Sequence, residues 1–385
     1  MIKKTLTLIF TLFCFIGFSQ KIINKKLESD ILETDRNIKI YIPEGYEKDS
    51  IKNYPISIVL DEEYLFDVYV GNSVLFAKKD KAPKQIIVGV SMEKTKGKDI
   101  SFDVNSGGLT TSSKNFYSFL IDEVLFYMES NYRTSPFITM VAQGYSANLI
   151  THFLQEPSAF INSYICINPS FSDYIGQQLQ SYNLPRLEKE DNTFYYYLNN
   201  SSSLSPQKQT KIDQVQSGLS ALKIKNVNIV ADKLTTSSSI SAIGEAIPRA
   251  LTKIFEIYSA ISKEEYEKNI KDLNPLDAIT YLENKYLEIE FLFGSDLGIR
   301  EKDIYAIEKI IIEKENGDRL RDFGKMILKL FPASHLGDYY IGKYYETGNM
   351  YKKALKHYKI GYGKMDPSDP NVDAFYENIL RIGGQ

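Results

Sequence analysis

Residues 138–148 read Ile138-Thr139-Met140-Val141-Ala142-Gln143-Gly144-Tyr145-Ser146-Ala147-Asn148. An apolar run ends in a turn of small residues, and Leu149, Ile150, Phe153 and Leu154 then recur at the spacing of one helix face. A strand buried on both faces that turns tightly into a helix is the connection of a parallel α/β sheet, and open sheets of that kind bind ligands at the carboxyl ends of their strands. The turn also has the composition of a nucleophile elbow, Gly-x-Ser-x-Gly, in which small residues relieve a strained strand-to-helix corner. Two registers compete. With Gly144-Tyr145-Ser146-Ala147-Asn148 as the elbow, Ser146 is the nucleophile and Asn148 replaces the last Gly. With Ala142-Gln143-Gly144-Tyr145-Ser146, Gly144 stands at the nucleophile position, and the corner follows directly on the strand that ends at Val141.

Outward from this stretch the same alternation continues. Apolar runs at 38–42, 56–60, 86–90, 138–141, 164–167, 194–198 and 227–230 read as strands, the last five nearly continuous in apolar residues. Helical periodicities lie between them, with Phe116, Phe119, Leu120, Val124 and Tyr127 on one face and Ile243, Ile247, Leu251, Ile254 and Phe255 on another. The expected fold class is α/β, a doubly wound, mostly parallel sheet. Beyond Ser262 every pattern is helical, and Ile341-Gly342, Tyr345, Gly348, Tyr351, Ala354, Tyr358 and Pro367 fall at the offsets of a tetratricopeptide repeat. Residues 320–332 read as the second helix of a preceding, more degenerate unit. The expected organisation is a leader at 1–19, an α/β domain at 20–261 and an all-α tetratricopeptide-like domain at 262–385.

Composition narrows the function classes. At 385 residues the chain exceeds the roughly 250–300 residues at which a single core stops growing, and 43% hydrophobic residues supply ample core material. The 46 Lys+Arg against 49 Asp+Glu give a net charge of -3, which argues against an electrostatic grip on nucleic acid or anionic lipid. Three His and two Cys are too few for a zinc ribbon or a disulfide framework. Lys3 and Lys4 before the apolar run from Leu6 to Phe18, with Gly17-Phe18-Ser19 at its end, read as an export signal cleaved after Ser19. Phe13 before Cys14 disfavours a lipid anchor, and Cys166 between Ile165 and Ile167 reads as a strand core residue. No later apolar stretch is long enough for a membrane span, so the expected location is the periplasm or the medium.

A set of short motifs then carries a resemblance. These are Arg36-Asn37-Ile38 with Pro43-Glu44-Gly45-Tyr46, Tyr54-Pro55 leading into Val59-Leu60-Asp61, Ile87-Val88-Gly89-Val90, Asn131-Tyr132-Arg133-Thr134, Pro157 with Phe160, and Asn168-Pro169-Ser170. In their order the chain resembles the putative esterase family of α/β-hydrolases, the enterochelin-esterase-like group, in the branch with C-terminal tetratricopeptide helices. The resemblance implies an elbow of the form Gly-His-Ser-x-Gly-Gly followed by a Pro, and Pro157 matches that spacing better from Gly144 than from Ser146. It implies a strand-end Leu-Asp-Gly whose backbone helps hold an oxyanion; here Glu62 follows Leu60-Asp61 and brings negative charge toward the site. It implies a His shortly before Ala246-Ile247-Pro248-Arg249-Ala250-Leu251, and Ser239 stands at that position.

A serine nucleophile needs a base, and in α/β-hydrolases an acid and then a His follow the Ser along the chain. His152 lies on the helix leading away from the elbow, and His335 and His357 belong to the repeat region. After 194–198 the chain offers Asn199-Asn200-Ser201-Ser202-Ser203, and the next acids, Asp213 and Asp232, read as solvated surface charges. Lys233 is placed for a Ser-Lys dyad but reads as one more surface Lys. Asp61, Glu62 and Glu63 cannot all face one cation from an extended segment, and Gly107-Gly108 lacks the frame of a phosphate loop. The expectation is an esterase-fold pseudoenzyme with no cofactor, acting as a binding or scaffold module. Its partner would be a small ester, a polymer fragment or a protein, held in the cleft or by the helical repeats. The alternative is an active serine ester hydrolase using Ser146.

Overall fold

The structure is a computed structural model that describes residues 21–155, 161–190, 193–235, 238–294 and 297–384. The expected export signal and the pair Pro157 and Phe160 lie outside the described residues. The chain divides into two compact units, one ending at Glu256 and the other spanning Ile257–Gln385.

The first unit is built on one eight-stranded sheet. Its strands are β1 (Lys21–Leu27), β2 (Arg36–Ile42), β3 (Tyr54–Val59), β4 (Ile86–Val90), β5 (Thr134–Gln143), β6 (Ser163–Ile167), β7 (Phe194–Ser201) and β8 (Val227–Leu234). They lie in the order β1-β2-β4-β3-β5-β6-β7-β8, with β1–β2 and β2–β4 antiparallel and the remaining pairs parallel. This is the mostly parallel α/β sheet expected from the apolar runs. Every residue of β3, β4 and β6 is buried, as strands with helices on both faces require. Two strands depart from the reading. β1 is mostly exposed and gives no apolar run, because it pairs on one side only and closes the edge. β8, read as buried, is largely half-exposed for the same reason at the opposite edge.

Helices cover the sheet. Glu62–Lys78 follows β3; Thr111–Ser118 runs through a π-helical turn, Phe119–Leu125, into Phe126–Asn131; Tyr145–Thr151 follows β5; Pro206–Ala221 follows β7; and Ser241–Ile254 follows β8. Phe116, Phe119, Leu120 and Val124 turn one face into the core against Ile56, Ile58, Val88 and Met140. Pro206–Ala221 begins where Ser205 accepts from the Lys208 N–H at 3.5 Å and Pro206 occupies the first turn, whose N–H groups need no helical partner.

The second unit has no strand among its described residues. Its longer helices are Pro275–Phe293, Glu301–Glu315, Leu320–Leu330, His335–Thr347, Tyr351–Tyr362 and Val372–Gly383. Asn274 caps the first by accepting from the Asp277 N–H at 2.9 Å, and Gly294 ends it at φ 57. The last four pack so tightly that glycine is required between them. A Cβ on Gly324 would lie 2.5 Å from the Gly337 carbonyl, one on Gly342 would lie 2.7 Å from the Tyr358 ring, and one on Gly361 would lie 2.7 Å from the Phe375 ring. The buried Asp303 carboxylate accepts from the Ile261 N–H at 2.6 Å and the Tyr286 hydroxyl at 2.9 Å, tying the start of the unit to its core.

Candidate active site

β5 ends at Gln143, the helix Tyr145–Thr151 starts at once, and Gly144 forms the whole corner at φ 60 and ψ -122. Three backbone bonds pin it: the Gly144 N–H donates to the Ile167 carbonyl at 3.0 Å, and its own carbonyl accepts from Ser170 at 2.9 Å and Asn148 at 3.3 Å. A positive φ of this kind favours a residue without a Cβ. Space is not the constraint, because the nearest atom to a Cβ built there is the Ser170 Oγ at 3.9 Å. Tyr145, the next residue, is 48% exposed, with its ring 6.1 Å from Phe102 and the Lys208 ammonium 5.5 Å away over its face. Ser146 is 0% exposed on the inward face of the helix, and its Oγ meets no hydrogen-bond partner among the described residues.

The strand ends beside the corner are closed by amides. Asn168, at φ 42 just after β6, donates its N–H to the Asn199 Oδ1 at 3.0 Å, while the Asn199 Nδ2 donates to the Asn168 Oδ1 at 2.7 Å. Asn tolerates the left-handed region. Asn200 donates to Asp213 at 3.1 Å, and Asp213 in turn pairs with Lys233 at 3.3 Å. Asp232 accepts from the Tyr197 hydroxyl at 2.9 Å and faces Arg249 at 3.9 Å. Each acid downstream of β7 that sequence reasoning weighed is thus engaged by a neighbour, and Lys233 by an acid.

Asp61, at φ 56 at the end of β3, is completely buried; one carboxylate oxygen pairs with Lys96 and the other has no partner among the described residues. Glu62 pairs with Lys39 of β2, and its side chain lies over Gly89 of β4, where an added Cβ would meet it at 2.7 Å. The expected negative charge therefore points across the sheet toward β2 and is neutralised there. Glu63 accepts from the Ser91 hydroxyl and the Met92 N–H, both at 3.0 Å. The three consecutive acids diverge, and no group of three or more metal-ligating side chains occurs among the described residues. The Asp61–Lys96 pair and the Asn168–Asn199 lock escaped sequence reading, although Asn168-Pro169 after an apolar run is a turn signal.

The bases are elsewhere. His152 is 2% exposed, its Nδ1 lies 2.8 Å from the Tyr182 hydroxyl, and burial pulls its pKa down to about 4. An imidazole in that environment stays neutral at pH 7. Ser239 is exposed in the turn before the helix Ser241–Ile254, with Thr236 and Ser237 outside the described residues. His335 and His357 belong to the second unit, where the His335 ring packs 5.7 Å from Phe375 and the His357 Nδ1 lies 2.9 Å from Asp338. Cys166 is buried in β6, and burial pushes its thiol up to about 12, far from a reactive thiolate. No helix among the described residues is long and apolar enough to cross a membrane.

Comparison with known proteins fits this architecture. Residues 29–147 match the profile of the putative esterase family. An uncharacterised protein from Capnocytophaga ochracea superposes with a TM-score of 0.81 at 22% identity, covering 95% of this chain and 100% of that one. An IroE-like serine hydrolase from Shewanella oneidensis gives 0.59 at 18% identity over 80% of this chain and 98% of that one. The BES protein from Bacillus cereus gives 0.54 at 16% over 62% and 96%. At these identities the neighbours show a shared fold. No curated protein matches the chain by sequence. A mostly parallel α/β-hydrolase-like sheet with a glycine corner at positive φ after β5 accompanies the match over 29–147, and in that stretch the chain is similar to the putative esterase family.

Proposed function

We propose that this protein is an exported esterase-fold pseudoenzyme that works by binding, with Gly144 in place of the nucleophile and Ser239 in place of the base. One observation carries the reading: the elbow conformation falls on Gly144, a residue with no hydroxyl. The nearby Ser146 points into the core, where its Oγ cannot reach a substrate carbonyl without unpacking the helix. Acyl transfer also needs a base within hydrogen-bond reach of the nucleophile. His152, the only histidine between residues 21 and 256, is buried and held by the Tyr182 hydroxyl. The second unit completes the proposal as a tetratricopeptide-like array, supported by glycine contacts at Gly324, Gly342 and Gly361 that let successive helices touch. The ligand of the cleft would be an intact ester, a polymer fragment or a protein segment.

The test is to treat the chain from Gln20 with a fluorophosphonate probe and short acyl p-nitrophenyl esters, beside Ser146→Ala. The expected result is neither labelling nor turnover above the uncatalysed rate. Labelling that Ser146→Ala abolishes would overturn the reading in favour of a serine ester hydrolase.

A further inference from the structure

In the second unit the helices His335–Thr347, Tyr351–Tyr362 and Val372–Gly383 border a cavity of about 490 Å³. That is within the roughly 300–1,000 Å³ range of small-molecule sites. Its wall combines the tyrosines Tyr339, Tyr351 and Tyr358 with the polar groups of Asn349, Asn378 and Arg381. The charges in it are already matched. Arg381 forms a two-point contact with Glu346, one arm at 3.1 Å, and also donates to the Asn378 Oδ1 at 2.9 Å. The Tyr358 hydroxyl donates to the same Glu346 at 2.6 Å, and Lys343, also in the wall, is held by Glu308 at 2.7 Å. A phosphate or carboxylate would have to pull Arg381 from Glu346 before gaining a cation, leaving a half-buried carboxylate with the Tyr358 hydroxyl but no cation.

Asn378 is committed as well, its Nδ2 donating to the Ala374 and Phe375 carbonyls at 3.1 and 3.3 Å, and the Asn349 Oδ1 accepts from the Tyr351 hydroxyl at 2.9 Å. What remains on offer is neutral: the half-buried rings of Tyr339 and Tyr351, the Tyr351 hydroxyl oxygen as acceptor and the Asn349 Nδ2 as donor. A pyranose ring has the complementary surface, with C–H groups on one face and vicinal hydroxyls that each donate and accept. We propose that this cavity binds an uncharged sugar ring, stacked on tyrosine and hydrogen-bonded through the Asn349 Nδ2 and the Tyr351 hydroxyl. The site shares no residue with the Gly144 corner and stands whether or not that corner is catalytic.

The experiment uses the full chain from Gln20 and saturation-transfer NMR with glucose, galactose, N-acetylglucosamine and cellobiose. Acetate, inorganic phosphate and a blocked tetra-alanine peptide are titrated alongside. At least one sugar should show transfer, and its affinity should fall about tenfold, the worth of one good hydrogen bond or stacked ring, in Asn349→Gly and in Tyr351→Ala. Asn349 sits at φ 56, a conformation glycine adopts freely, so Asn349→Gly removes the amide and keeps the backbone. Absence of transfer from every sugar, transfer unchanged in both variants, or preferential binding of an anion or the peptide would each overturn the assignment.

Discussion

Replacing Gly324 by alanine tests whether glycine in the second unit serves close packing. Alanine in a helix interior gains about 1 kcal/mol over glycine from backbone entropy. At Gly324 the added methyl would lie 2.5 Å from the Gly337 carbonyl oxygen, 2.7 Å from the Ile341 Cγ1 and 3.0 Å from the Ile341 N. Two of these are backbone atoms, which cannot rotate aside, so the helices Leu320–Leu330 and His335–Thr347 must separate. Overpacking of this kind costs about 1–3 kcal/mol, and backbone obstruction places it at the upper end. The net loss is then about 1–2 kcal/mol, or about 4–8 °C in the melting temperature of a unit this size. Gly244, inside Ser241–Ile254 with no atom within 4 Å of a built Cβ, is the control, and Gly244→Ala should gain about 1 kcal/mol. Calorimetry with hydrogen exchange on peptides spanning 320–345 and 240–255 assigns each change to its unit. A Gly324→Ala protein that gains stability as Gly244→Ala does would show that the helices Leu320–Leu330 and His335–Thr347 do not need glycine to touch.

His152 should make the first unit acid-sensitive. Its folded pKa of about 4 lies below the ordinary 6.5, so between these values the unfolded chain holds more protons. Stability is full above about pH 6.5 and falls as the pH drops toward 4, by up to about 3 kcal/mol. Urea midpoints across that range should flatten in His152→Gln, and an unchanged slope in that variant would refute the assignment. Gly144→Ala should cost about 1–3 kcal/mol through backbone strain alone, since the nearest atom to its methyl is 3.9 Å away. A neutral or stabilising result in urea unfolding would mean that the corner is not held at positive φ.

The parallel strands were legible because burial on both faces leaves continuous apolar runs, as in Ile86–Val90 and Ser163–Ile167. β1 was not, since Lys21, Asn24, Lys25 and Lys26 make its exposed edge look like a linker. The helix Pro206–Ala221 buries only Ile212, Val215 and Leu219, too thin a stripe to stand out in Gln, Lys and Ser. At the site, glycine and serine two positions apart allow either register on paper, and only the backbone places the corner at Gly144. The divergence of Asp61, Glu62 and Glu63 likewise depends on Lys96, Lys39 and Ser91, partners distant in sequence that no local pattern reveals.

The strand order has a kinetic consequence. β3 pairs with β5 through contacts such as Val59 with Val141, and β5 waits for β6, so the centre of the sheet cannot close until most of the first unit is available. The second unit is assembled from neighbours in sequence, Gly324 on Gly337, Gly342 on Tyr358 and Gly361 on Phe375. Loop-closure entropy therefore slows the sheet far more than the helices, as the general dependence of folding rate on contact separation requires. Refolding of the whole chain is paced by its first unit, with helical structure in the second unit formed long before the corner at Gly144 exists.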